Sequence, residues 1–175
     1  MLCKIHRRMS KEKGFTLIEV VVSLVLIGIL AAIAGMGLSM IAEGYVFAKL
    51  NAETVQKAQI AMARMVKELG SATTITSANT SAITFTRPEA ATTTTNIIDL
   101  SGTAVRIQVG AGNTASTLIA NTTGFTMAYF DATGGALTVP VGAPANIRRI
   151  YITLTVNGAN NQSLSFNNNV FMREF

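Results

Sequence analysis

The sequence predicts an α+β fold in which a long N-terminal helix, spanning a membrane with its first half, packs by its second half on an antiparallel β-sheet head. Residues 15–41 are almost entirely apolar, and residues 41–69 repeat apolar or small side chains at intervals of three and four. Residues 71–175 contain 20 Thr and 11 Asn among short β-prone runs. An apolar segment of that length can cross a bilayer, an amphipathic helix buries one face, and β-prone runs form the sheet that covers it.

The positive charge of the chain is concentrated at its N-terminus. The 175 residues carry 14 Lys and Arg against 9 Asp and Glu, and residues 1–14 hold five of the basic side chains with one acid, Glu12. The only Cys and the only His, Cys3 and His6, lie in the same segment. Without this segment the chain has no thiol or imidazole, which excludes Ser-His-Asp and Cys-His sites, disulfides and the usual zinc sites. We therefore expect a protein without a cofactor that is not an enzyme.

Residues 15–42 are predicted to form a membrane-spanning helix. At about 1.5 Å per residue the segment exceeds the roughly 30 Å of bilayer hydrocarbon, and residues 20–34 show no polar face. Basic residues precede the segment, and the next one is Lys49. The positive-inside rule therefore predicts a cytoplasmic N-terminus and export of the rest of the chain.

Glu19 is the only charged residue between residues 15 and 41. A carboxylate in the hydrocarbon costs about 2.5–3.5 kcal/mol on insertion scales, so its presence indicates a function with a charged partner. The alternative is that Glu19 caps the N-terminus of the helix.

The N-terminal segment also has an alternative interpretation as an ordinary signal peptide, cut after Ala34. The protein would then be a secreted or membrane-anchored binding or adhesin module.

The residues around Glu19 form a specific motif. The run KGFTLIE, residues 13–19, follows a short basic leader and precedes a long apolar helix. This combination resembles the class III signal of type IV prepilins and of the pseudopilins of type II secretion. The resemblance is close from Gly14 to about Ala42 and is architectural elsewhere, where the head is loosely similar to W-type minor pilins and J-type pseudopilins.

The resemblance implies a processing and assembly mechanism. Prepilin peptidase would cut between Gly14 and Phe15, remove residues 1–14 and methylate the amino group of Phe15. Glu19 would then pair with the Phe15 ammonium of a neighbouring subunit, since two unpaired charges in hydrocarbon are both costly. The implied partners are other pilin or pseudopilin subunits, the peptidase and an inner-membrane assembly platform.

The same resemblance implies a location and a role. The protein would be a single-pass inner-membrane protein before assembly, and part of a pilus or a periplasmic pseudopilus afterwards. A structural subunit of a type IV pilus-like filament, in particular a minor pilin, is the leading interpretation. A type II secretion pseudopilin is the alternative.

Residues 43–70 are predicted to be the amphipathic half of the helix, and residues 71–175 the head. The apolar stripe includes Ala58, Met62 and Leu69, while Glu68 belongs to the charged remainder. Gly70 is expected just beyond the helix end. In the head, residues 148–156 alternate as a strand, followed by a hairpin loop and a second strand at 163–167. Further strands are predicted at 83–86, 105–109, 125–130 and 136–139, and a polar loop at 92–95.

Three weaker motifs in the head are interpreted as structural. No helical pattern follows Gly110-x-Gly112, as a dinucleotide site requires, so we expect a glycine-rich turn. Asp131 is a weak candidate for a calcium ligand, but no carboxylate is near it in sequence, and we expect a turn aspartate and no metal site. Arg148 and Arg149 are expected to end a strand in solvent, without an aromatic stacking platform, so nucleic-acid binding is not predicted.

Overall fold

The computed structural model describes residues 14–89 and 92–172. The predicted leader, residues 1–14, therefore lies outside the described residues except for Gly14. The chain divides into two compact units, residues 1–45 and residues 46–175.

One helix, α1, extends over Leu17–Gly70, 54 residues. The predicted helix is confirmed. It begins at Leu17, two residues after the predicted Phe15, and ends at Gly70, one residue after the predicted Leu69. Lys67 lies in the last turn, where a cation is favourable beside the unpaired carbonyl groups. The backbone N–H of Ser71 donates to the carbonyl of Lys67 at 3.2 Å and closes this end.

Within the first unit, every described residue is exposed. The most apolar 18-residue window of α1 has a mean hydropathy of 2.8 and is 0% buried. By length and composition α1 can cross a membrane, as the sequence predicted.

The second unit contains two antiparallel sheets, where the sequence predicted one. The first has the order β1-β2-β3-β4-β5 and the second β7-β6-β8-β9. The strands of the first sheet are Thr74–Ala78, Ala82–Glu89, Thr92–Ser101, Ala104–Val109 and Ser116–Ile119. The strands of the second, taken in chain order from β6 to β9, are Thr122–Phe130, Ala136–Leu137, Arg149–Asn157 and Ser163–Phe171.

The predicted strands are all present, but one predicted loop is wrong. Residues 92–95 begin β3, and their run of Thr pairs in register with β2 from Glu89 to Thr86. Threonine is polar yet β-branched, and the pleated backbone suits it as well as it suits valine. Two further strands, β1 and β5, are not predicted from the sequence.

A single cluster of buried apolar side chains joins α1 to both sheets within the second unit. From α1 it takes Ala58, Ala61, Met62, Met65 and Leu69, each at most 5% exposed. The apolar stripe is thus buried only in its last three turns; Ile41 and Tyr45, which the spacing also placed on it, are about 70% exposed. The sheets contribute apolar residues that alternate with exposed ones, of which Phe85, Ile98, Ile107, Tyr129, Ile150, Ile152 and Leu154 are at most 1% exposed.

Candidate functional site

The Gly14–Phe15 peptide bond lies immediately before the helix. Gly14, Phe15 and Thr16 precede α1 and are exposed. The Phe15 side chain is 80% exposed, and a Cβ built on Gly14 would meet no atom within 4 Å. The bond between them is therefore open to an external enzyme on every side that the structure describes.

The first turn of α1 has the spacing of a capping box around Glu19. The backbone N–H of Glu19 donates to the carbonyl of Thr16 at 3.1 Å and lies 3.4 Å from the Thr16 hydroxyl. Threonine at the cap with glutamate three residues later is a common helix start. The Ser23 hydroxyl donates to the Glu19 carbonyl at 2.7 Å.

The carboxylate of Glu19 is exposed, and no described residue forms an ion pair with it. Its position in the first helical turn lets it interact favourably with the positive end of the helix dipole. The backbone of Glu19 takes part in the cap, so the capping role and a charged partner for its carboxylate are compatible.

Small residues leave open surface on the first unit of α1. A Cβ built on Gly28, Gly35 or Gly37 would meet no atom within 4 Å outside the helix. In membranes, small residues allow helix backbones to approach one another closely.

Glu68 belongs by its spacing to the charged remainder of the helix, but in the structure it is one of the buried residues of α1. Glu68 is 9% exposed, and its carboxylate accepts a hydrogen bond from the Arg87 guanidinium of β2 at 2.5 Å. The two residues are 19 positions apart in different elements, so only their placement in the fold shows the pair.

Asp131 lies in the turn after β6, as predicted. Its carboxylate accepts hydrogen bonds from the Thr133 hydroxyl at 2.7 Å and from the backbone N–H groups of Thr133 and Gly135 at 2.9 and 2.8 Å. These hydrogen bonds lower the pKa of Asp131, and the bond from the Thr133 side chain lowers it most. The carboxylate thus stabilises the turn in which it lies. Among the described residues, no group of three or more His, Cys, Asp or Glu side chains could hold a metal ion.

The glycine motif also forms a turn. Gly110 and Gly112 have φ of +86° and +80°, and they connect β4 to β5 without a helix. The left-handed backbone explains glycine at both positions.

The prediction that aromatic residues are missing near Arg148 and Arg149 is wrong. The guanidinium carbon of Arg149 lies 4.0 Å from the ring centroid of Phe130. Arg148 instead donates to the carbonyl groups of Ala145 and Ile147, at 2.7 and 3.1 Å. Phe130 is 19 residues away in sequence, and strand pairing brings it opposite Arg149.

Comparison with known proteins gives one match to a family model. The model described as the prokaryotic N-terminal methylation motif matches residues 9–35. A search of curated proteins gives no match to the chain. The matched range contains Gly14, Phe15 and Glu19 and most of the exposed apolar part of α1. The chain therefore carries the class III signal of type IV pilins and pseudopilins, and it joins that signal to a pilin-like α+β fold.

Proposed function

We propose that the chain is a structural subunit of a type IV pilus-like filament, in the role of a minor pilin. The observation that carries the proposal is the exposed Gly14–Phe15 bond, placed directly before a helix whose only charge in its apolar part is Glu19. Prepilin peptidase cuts this bond, removes residues 1–14 and methylates Phe15. The protein acts by assembly and not as an enzyme.

Assembly of the subunits depends on a charge pair between chains. Cleavage leaves an ammonium group on Phe15, four residues before the unpaired carboxylate of Glu19. A neighbouring subunit supplies the matching group, because each charge alone in hydrocarbon costs several kcal/mol. The pair sets the axial register of an incoming subunit, while the open glycine positions of α1 allow close helix packing.

Each part of the chain has its own role in this mechanism. Residues 15–42 form the membrane and assembly helix, residues 43–70 the part of α1 that carries the head, and residues 71–175 the exported head. Before assembly the protein is a single-pass inner-membrane protein with a cytoplasmic N-terminus, where the peptidase and the assembly platform meet it. The exported part contains no Cys, so it lacks the C-terminal disulfide of many major pilins, which supports the minor role.

The first experiment is mass spectrometry of the N-terminal peptide of the mature protein. The expected peptide begins with N-methylated Phe15, and Gly14→Val is expected to leave the leader attached. Gly37→Ala, at an open helix position, is the control and should be processed normally. A mature chain that begins at Gly35 would contradict the proposal and indicate an ordinary secreted module.

The second experiment tests the charge pair. Glu19→Val should still be cut after Gly14 but should enter filaments about tenfold less or worse, because the Phe15 ammonium loses its partner. Glu43→Val removes an exposed carboxylate from the same helix outside the apolar segment and should assemble normally. Quantitative immunoblots of sheared filaments against whole cells measure both. Equal incorporation of the two variants would show that no charge pair operates.

A further inference from the structure

The outer face of the second sheet carries a row of aromatic and cationic side chains. In β6 and β8, buried residues alternate with exposed or half-buried ones that face away from the core, and the edge strand β9 has one buried residue, Val170. Strand register aligns Phe130, Arg149 and Phe171 across the three strands. The next row contains Ala128, Tyr151 and Asn169. Residues directly opposite one another in antiparallel strands share a face, so these side chains form one surface, here called the outer platform.

Arg149 is held in place on the outer platform and lacks an anionic partner. Its guanidinium stacks on Phe130, at 4.0 Å from the ring centroid. Arg87 and Arg106 of the head are paired with carboxylates, and Arg148 donates to backbone carbonyl groups, whereas no described residue forms an ion pair or a side-chain hydrogen bond with Arg149. A stacked guanidinium keeps its N–H donors in a fixed plane, ready for a carboxylate or phosphate.

Two further aromatic rings lie on the face that carries this cation. Phe171, the last residue of β9, is 71% exposed in the same row, and Tyr151 is half-buried in the adjacent row. Phe171 and the stacked pair of Phe130 and Arg149 thus lie in one row, so that an exposed ring adjoins a cation on this face.

The remaining rows of the outer platform are polar and uncharged. They contain Thr126, Thr153 and Asn167, and then Gly124, Thr155 and Ser165. Amide and hydroxyl groups both donate and accept hydrogen bonds. With two residues between rows at about 3.4 Å each, the four rows extend over roughly 20 Å, which suits an extended ligand.

The low charge of this face indicates a ligand that carries few negative charges. A nucleic acid carries a phosphate at every nucleotide. Among the described residues of this face, only Arg149 offers a cation without a carboxylate partner, and neutralising one phosphate gives a slope of only about −0.7 for log K against log salt concentration, with little affinity. A ligand with sparse negative charge, many hydroxyl groups and apolar faces matches one arginine, exposed rings and rows of amides and hydroxyls.

We propose that the outer platform binds an acidic polysaccharide. The carboxylate of a uronic acid residue accepts hydrogen bonds from Arg149. The apolar faces of neighbouring sugars pack on Phe171 and Tyr151, and their hydroxyl groups bond to Asn167 and Asn169. The proposal concerns the head alone and does not depend on filament assembly.

Binding of defined oligosaccharides to the full chain in detergent micelles tests the proposal. Calorimetry with oligogalacturonate and with oligomannuronate should show binding to at least one, with binding reduced at least tenfold for a fully methyl-esterified oligogalacturonate. Absence of binding to both acids would overturn the proposal. Tighter binding of a thymidine oligonucleotide than of either acid would also overturn it and indicate a nucleic-acid surface.

Variants locate the site. Arg149→Gln should weaken binding of the acidic oligosaccharide at least about tenfold, because it removes charge-assisted hydrogen bonds. Phe171→Ser should weaken it at least about fivefold through loss of the exposed ring. Arg64→Gln removes the same charge from an exposed position of α1 and should bind like the parent chain. Equal weakening by Arg64→Gln, or parent-like binding by both platform variants, would place the site elsewhere. Unchanged thermal unfolding of Phe171→Ser confirms that its loss of binding is local.

Discussion

Asp131 stabilises the turn after β6 through hydrogen bonds that only its ionised form accepts fully. The Thr133 hydroxyl and the backbone of Gly135 lower the pKa of this exposed carboxyl in the folded protein. A carboxyl whose pKa falls on folding adds stability above its unfolded pKa. That stability is lost as the pH falls through the lower, folded pKa. The turn is therefore expected to loosen only in acid.

Thr133→Ala is expected to raise the pKa of Asp131 towards its ordinary value. The substitution removes the hydrogen bond that lowers this pKa most, so the turn should loosen at a higher pH than in the parent. NMR titration of the Asp131 carboxyl carbon across the acid range measures the shift. Thr138→Ala changes an exposed hydroxyl beyond the same hairpin and should leave the titration unchanged. An identical pKa in all three proteins would show that the Thr133 hydroxyl does not bind the carboxylate in solution.

Among the elements, the contact between Glu68 of α1 and Arg87 of β2 fixes the helix end on the first sheet. The side chains are 11% and 24% exposed, and the Nε of Arg87 is buried without a hydrogen-bond partner. Loss of the carboxylate would leave a poorly solvated cation beneath the helix. The pair between Asp99 and Arg106 on β3 and β4 is more open, with side chains 28% and 36% exposed.

Glu68→Leu is expected to lower the free energy of unfolding by about 1–3 kcal/mol, since Arg87 stays partly buried without its partner. Asp99→Asn is the comparison and should cost at most about 1 kcal/mol, because both side chains of that pair are more exposed than those of Glu68 and Arg87. Urea unfolding of the full chain in detergent, followed by near-ultraviolet circular dichroism, compares the two. The double variant Glu68→Leu with Arg87→Leu should recover part of the loss. A double variant as unstable as the sum of the single changes would show that the pair is not coupled.

The sequence predicted the elements better than the contacts between them. A long apolar run predicts the first half of α1, and hydrophobic period predicts its second half and β8, because burial of one face imposes that period. It cannot show that Glu68 meets Arg87 or that Phe130, Arg149 and Phe171 align, since these depend on packing and on strand register. The Thr run at 92–95 forms part of β3 and not a loop, because the β preference of its branched side chains outweighs their polarity.

For the whole molecule, the two units separate the apolar surface from the apolar core. The described part of residues 1–45 is exposed and apolar, whereas the second unit holds the buried cluster that joins α1 to both sheets. The motif at Gly14, Phe15 and Glu19 can be predicted from the sequence because its residues are close together in the chain. The outer platform belongs to the second unit, and it cannot be predicted in this way because it is formed by the register of three strands.

This separation predicts that truncating a large apolar side chain of α1 destabilises the protein in the second unit and has no effect on stability in the first. Met65 is 0% exposed and Leu38 is 68% exposed. Met65→Ala should lower the unfolding free energy of the full chain in detergent by about 2–5 kcal/mol through a core cavity. Leu38→Ala should leave the urea midpoint unchanged, because it removes no contact from the buried cluster. Equal midpoints for the two variants would mean that α1 does not share the core of the head. Unequal midpoints in the predicted order would show that Met65 belongs to the folded core of the head and that Leu38 does not.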